Sequence, residues 1–150
     1  MILPWLILIP FIGGFLCWIA ESTSKTLPRW VALGSMTLTL ALSLWVWHTG
    51  DFQLAPAPGG EPQWTLEFKM AWIERFGISV HLAMDGLSLL MVALTGLLGV
   101  LSVLCSWNEI QRRIGFFHLN LLWILGGVIG VFLAVDLFLF FFFWEMMLVP

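Results

Sequence analysis

Leu137-Phe138-Leu139-Phe140-Phe141-Phe142-Phe143-Trp144-Glu145-Met146-Met147-Leu148-Val149-Pro150 reads as a helix that is apolar on every face, with one carboxylate set into it. A helix without a polar face is buried either in a large core or in lipid. Composition decides between the two. Apolar residues make up 61% of the chain and charged residues 10%, with a mean hydropathy of +1.01, against roughly a quarter charged in soluble domains. The chain is therefore read in membrane spans of about 20 residues.

In that setting Glu145 is the costly residue. At ~1.5 Å per residue it lies about 12 Å into a helix that starts at Leu137, near the middle of a hydrocarbon layer ~30 Å thick. An ionisable group at that depth costs a few kcal/mol or more, and it usually faces a partner, a water-filled cavity or a proton path. A carboxyl group in hydrocarbon favours its neutral form and a nearby ammonium favours the charged one, so such a group can be loaded and unloaded with a proton. Its helical neighbours Phe141, Leu148 and Val149 offer no polar relay.

Working outward, four further apolar runs read as helices at about 3–20, 30–47, 86–107 and 116–135, with 137–150 as the fifth. No basic residue precedes Lys25, which opposes reading the first run as a secretory signal. Trp5, Trp18, Trp45 and Trp47 fall near span ends, as in the aromatic belts of membrane interfaces. Asp85 and Asp136 stand where N-caps belong. Gly126 and Gly130 have the G-x-x-x-G spacing of closely packed helices.

Between the second and third spans the pattern changes. A cluster of Pro56, Pro58, Gly59, Gly60 and Pro62 excludes helix. Trp64, Leu66, Phe68, Met70 and Trp72 then alternate with Thr65, Glu67 and Lys69. After a turn through Glu74, Arg75 and Gly77, Ile78, Val80, Leu82 and Met84 repeat the alternation. Period two predicts an amphipathic β-hairpin at about 64–84, outside the membrane core. Its apolar face needs a cover from the membrane surface, the chain's own loops or a neighbouring subunit. The fold class is an all-α polytopic membrane protein of five helices with a small extramembrane β-hairpin between helices two and three.

The fifth run holds 14 residues, about 21 Å as helix, short of a full crossing. The expectation is a truncated fifth helix, within the N-terminal part of a longer protein whose residues 1–150 form a single membrane domain. Lys25, Arg29, Arg112 and Arg113 lie between spans one and two and between three and four, so the positive-inside rule puts those loops in the cytoplasm and the N-terminus and hairpin outside. All six basic residues read as loop residues, and none lies at the depth of Glu145.

Other candidates are weaker. His118, in the first turn of span four, is a candidate for proton entry. Glu109, at the end of span three, is a candidate relay, but for both the readier reading is an interfacial polar residue. His48 and His81 are surface groups, and Cys17 and Cys105 read as small buried hydrophobes. No G-x-S-x-G, H-E-x-x-H, P-loop or G-x-G-x-x-G occurs, and no metal-ligand spacing is present. A formal charge of −3 without a basic patch argues against nucleic acid as a partner.

The stretch Arg75-Phe76-Gly77-Ile78-Ser79-Val80-His81-Leu82-Ala83-Met84-Asp85-Gly86-Leu87-Ser88-Leu89-Leu90, followed by Leu94-Thr95-Gly96, closely resembles the M-type antiporter-like subunits of bacterial proton-pumping NADH:quinone oxidoreductase, respiratory complex I. So does the Phe-rich run from Phe138 into Trp144-Glu145-Met146. The likeness covers all 150 residues, and weaker versions of both motifs occur in sister subunits and in cation/proton antiporter subunits.

The resemblance implies a bacterial inner-membrane, multi-pass subunit built around two inverted five-helix repeats, the first starting at the fourth helix. It implies that Glu145 is the family's essential helix-five glutamate and pairs with a lysine further along the chain. NADH, FMN, iron-sulfur clusters and quinone are then used by other subunits, and this chain is a non-redox translocase subunit with no cofactor of its own. Neighbouring antiporter-like subunits and the lipid bilayer are the implied partners, the former packing against the hairpin. A cation/proton antiporter subunit of related fold is the alternative, and a purely structural membrane spacer a third reading.

Overall fold

The computed structural model describes residues 2–50, 64–73 and 78–150. In chain order the elements are α1 (Ile2–Ala20), α2 (Leu27–Thr49), β1 (Leu66–Ile73), β2 (Ile78–Met84), α3 (Gly86–Glu109), α4 (Ile114–Leu133) and α5 (Leu137–Leu148). The first four helices are long and apolar enough to cross a membrane, and α5, at 12 residues, is shorter. The expected five helices and hairpin are thus present. The Pro/Gly cluster at 56–62 and the hairpin turn at 74–77 lie outside the described residues.

Local chemistry sets the helix starts. α2 begins three residues before Trp30 because Pro28 fits the first turn, where its missing N–H is not needed. Asp85 caps α3 by accepting from the Ser88 N–H at 2.7 Å, and Asp136 caps α5 by accepting from the Phe138 N–H at 2.8 Å. Burial raises the Asp85 carboxyl, but hydrogen bonds from the Ser88 hydroxyl and from the backbone of Ser88, Asp85 and Leu87 outweigh it and hold the group below its usual value.

α4 is the hub, packed against α1, α2, α3 and α5. Small residues make the close approaches. A Cβ on Gly96 of α3 would stand 3.2 Å from the Leu40 Cα of α2, and one on Gly126 would stand 3.1 Å from the Phe11 ring of α1. Between lipid-embedded helices such contacts supply the attraction that the hydrophobic effect does not. The buried hydroxyls of Thr39 and Ser43 bond back to the carbonyls of Ser35 and Leu40, so α2 presents polar residues to its neighbours at little cost.

β1 and β2 form an antiparallel pair with Leu66 opposite Met84, Phe68 opposite Leu82 and Met70 opposite Val80, and an irregularity between Ala71 and Ile73. One face gathers Leu66, Phe68, Val80, Leu82 and Met84. These pack on Leu3, Leu6, Val46, Leu89, Leu133 and Leu139, which belong to one end of the helix bundle. The hairpin's apolar face therefore rests on the chain's own helix ends, where the resemblance implied a neighbouring subunit. Five helix ends supply the leucines and the valine that floor it. On the polar face His81, expected as a plain surface group, sits with Nε2 2.7 Å from Glu67 Oε1.

Two further expectations change. Cys17 is buried, but Cys105 is exposed on α3 in a stretch shared with exposed Leu101 and Leu104, because the bundle packs through the other face of that helix. Arg29 is not a solvated loop residue. It lies in the first turn of α2, only 9% exposed, and donates from Nη2 to the Ile110 carbonyl at 2.9 Å.

Candidate functional site

α5 is the least enclosed helix. Leu139 and Phe143 are its two buried residues, and it packs on α4 and on β2. Its start is fixed by the short link from α4. Ala134 turns extended after Leu133, Leu82 forms a bridge with Ala134, and the Val135 N–H donates to the His81 carbonyl at 3.1 Å. The link thus adds two residues to the free edge of β2, and Asp136 then opens α5.

Glycines bring α5 close to α4. A Cβ on Gly130 would lie 2.5 Å from the Phe143 ring, and one on Gly127 2.7 Å from the Met147 Cβ. The expected packing role of the Gly126/Gly130 pair is met by two different partners, Phe11 on α1 and Phe143 on α5. Further along, the indole Nε1 of Trp123 donates to the Met146 carbonyl at 2.8 Å. That carbonyl would ordinarily accept from the residue four positions on, which is Pro150 and has no N–H. Trp123 fills the vacancy. The proline at Glu145+5 is the sequence signal that could have pointed to this bond.

With Leu139, Phe143 and Trp123 holding one side of α5, Glu145 falls on the other. It is exposed, and lines an open groove of about 520 Å³ with Phe138, Phe141, Phe142, Met146 and Val149. Trp72 of β1 stands over the start of that groove, its ring centroid 6.1 Å from Phe138 and 6.2 Å from Phe142. Among the described residues the one contact at salt-bridge distance is His81–Glu67, so Glu145 takes part in none.

The other candidates lie at the opposite end of the bundle from the hairpin. Glu109 is the last residue of α3 and is exposed. His118 is fully buried, its Nδ1 2.7 Å from the Ile114 carbonyl, close enough to Arg29 for that charge to act on the ring. The structure does not bring Glu145 together with either of them. Among the described residues there is no cluster of three or more His, Cys, Asp or Glu that could hold a metal ion.

Comparison with known proteins gives this arrangement its relatives. The chain is 90% identical over all 150 of its residues to NADH-quinone oxidoreductase subunit M of Pseudomonas aeruginosa, and 71% identical to subunit M of Escherichia coli K12. Over its whole length the chain is thus similar to one portion of NADH-quinone oxidoreductase subunit M. The matched stretch is the N-terminal portion, and the chain spans 30% and 29% of the length of those two relatives. The more distant NAD(P)H-quinone oxidoreductase chain 4 of a Synechococcus strain is 37% identical over 98% of the chain.

Among solved structures, respiratory complex I from Thermus thermophilus superposes over the whole chain with a TM-score of 0.76 at 25% identity, covering 27% of the matched subunit. An archaeal membrane-bound sulfane sulfur reductase superposes over 97% of the chain and 28% of its own, with a TM-score of 0.72 at 20% identity, and so shares the fold. No protein-family model matches the chain. The relatives found are those that the motifs led us to expect, and four of the chain's helices are long and apolar enough to cross a membrane.

Proposed function

We propose that this chain is the first part of a proton-translocating subunit of NADH:quinone oxidoreductase, in which Glu145 carries the proton. One observation supports this above the others. α5 is fixed on one side by Trp123, Phe143 and the glycines of α4, and on its free side it presents a single carboxylate in a groove of aromatic and aliphatic residues. An ionised carboxylate facing lipid at that depth costs ~2.5–3.5 kcal/mol on insertion scales. The groove is therefore the seat of a partner from outside the described residues, and a cationic side chain there couples the charge of Glu145 to its own.

On this reading the chain does no redox chemistry, and NADH, flavin, iron-sulfur clusters and quinone are handled by other subunits. The hairpin end faces the periplasm of a bacterial inner membrane. Lys25, Arg112 and Arg113, at the other end, face the cytoplasm. Neighbouring antiporter-like subunits are the partners. Glu109 serves as an interfacial acid near the cytoplasmic mouth, and His118 belongs to the proton-entry side.

The test is Glu145→Ala in the full-length protein within the intact complex, measuring NADH-driven acidification of inside-out membrane vesicles. Loss of pumping is expected. Unchanged pumping would overturn the role of Glu145. Sodium-dependent antiport by a preparation lacking flavin and iron-sulfur subunits would instead favour a cation/proton antiporter.

A further inference from the structure

At the end of the bundle away from the hairpin, two nitrogens are buried with no hydrogen-bond partner among the described residues: Nε of Arg29 and Nε2 of His118. Both side chains are at least nine-tenths buried, His118 completely. Each has its other valence committed. Arg29 donates from Nη2 to the carbonyl of Ile110, the residue just after α3, and His118 directs Nδ1 at the carbonyl of Ile114, one turn back on α4. A carbonyl accepts and cannot donate, so Nδ1 carries the hydrogen and Nε2 of the neutral ring is an acceptor. Arg29 Nε–H is a donor with nothing to donate to. Leaving two such groups dry costs ~1–3 kcal/mol each.

The surrounding elements leave little else to satisfy them. α1 contributes Cys17, whose thiol donates to the Pro28 carbonyl at 3.2 Å, and the turn after it Glu21, whose carboxylate comes within 3.0 Å of where a Cβ on Gly115 would stand. Gly115 thus lets α1 and α4 approach next to the histidine. The charged and titratable groups on the elements around the imidazole are then Glu21 in the turn after α1, Arg29 on α2, Glu109 on α3, and Arg112 and Arg113 in the turn before α4.

We propose that Arg29 and His118 together hold a buried water molecule, and that through it His118 is a proton-accepting group reached from the loop end of the bundle. Water fits because the site needs one molecule that both accepts and donates: it accepts from Arg29 Nε–H and donates to His118 Nε2. An anion would satisfy the arginine and leave the ring nitrogen without a donor. Buried waters usually bridge two or more otherwise unsatisfied polar groups in this way. When the bridging water passes its proton to Nε2 the ring becomes an imidazolium, and the water is restored by a proton from the solvated end. The proton-accepting part rests on the reading of the chain as a proton-translocating subunit, and the water site does not.

The experiment is electron cryomicroscopy of the intact complex at a resolution that shows ordered water, with proton pumping measured on the same preparations in vesicles. A density peak within hydrogen-bond distance of both nitrogens is expected. His118→Gln, which can still face the water with an amide oxygen, is expected to keep the peak, and His118→Leu to lose it and to lower pumped protons per NADH severalfold. Absence of the peak in the wild type, a direct contact between the two side chains, or a peak that bromide replaces would overturn the water site. Pumping by His118→Leu at the wild-type ratio would overturn the proton-accepting role. Glu145→Gln in the same assay shows separately whether the main reading has failed.

Discussion

The indole N–H of Trp123 on α4 donates to the backbone carbonyl of Met146 on α5 at 2.8 Å, next to the one carboxylate of the apolar helix. The bond exists because Pro150 cannot supply the usual helical donor, so a helix–helix contact replaces a helix-internal one. Trp123→Phe keeps the ring's packing against Phe11, whose centroid lies 4.9 Å away, and removes the donor alone. A loss of about 1 kcal/mol is expected, read as a lower melting temperature of the purified complex. A fall in NADH-driven pumping larger than the fall in electron transfer is also expected, since the bond fixes the residue adjoining Glu145.

Titration and packing separate at Glu145 itself. Gln matches the shape of a protonated Glu but cannot exchange the proton, whereas Leu removes polarity altogether. Glu145→Gln is expected to assemble normally and to lose pumping in vesicles, and Glu145→Leu to behave the same way. Pumping retained by the Gln variant would mean that the carboxyl matters for packing and not for charge.

Glycine positions give a contrast in which only the neighbour differs. Gly130→Ala places a methyl group 2.5 Å from the Phe143 ring, inside any tolerable contact, so α5 has to move off α4. A cost of ~1–3 kcal/mol follows. Gly34→Ala on α2 meets nothing within 4 Å and sits on an exposed face. It is expected to be neutral or stabilising by about 0.5–1 kcal/mol, since Ala is the better helix former. Thermal denaturation of the two detergent-solubilised variants checks the sign of each.

At Asp85 the prediction concerns pH. Its hydrogen bonds favour the ionised form, so the folded value lies below the unfolded one. Its contribution is therefore complete above the unfolded carboxylate range, near 4, and is lost as pH falls through the lower folded value. Asp85→Ala should cost about 1 kcal/mol at neutral pH, and the gap to wild type should close in acid. Asp85→Asn still accepts from the Ser88 N–H and should show a smaller gap. Melting curves of the three proteins across acidic pH test this.

Sequence alone carried the spans, the caps and the hairpin because each depends on local pattern: apolar runs with tryptophans at their ends, an aspartate before Gly86 and before Leu137, and strict alternation from Trp64 to Met70. What escaped it depends on contacts between distant parts of the chain. Arg29 reads as a loop cation because it follows Pro28, and the carbonyl that buries it is 81 residues away. Cys105 reads as core because its neighbours are apolar, yet apolar residues on a lipid-facing surface have the same composition as those inside. The apolar residues that floor the hairpin come from five helices, and no single stretch announces them.

The link between hairpin and α5 is testable through one hydrogen bond. Val135 donates its N–H to the His81 carbonyl at 3.1 Å, and the preceding Ala134 already has the extended conformation (φ −74°, ψ 122°) that a following proline requires. Val135→Pro therefore removes the donor with little demand on the residue before it. A loss of ~0.5–1.5 kcal/mol is expected, along with faster hydrogen exchange at β2 in the purified complex. If the hairpin does no more than cap the bundle, pumping will fall only with stability. A loss of pumping at temperatures where Val135→Pro is fully folded would show that the edge of β2 sets the position from which α5 carries Glu145 into the membrane.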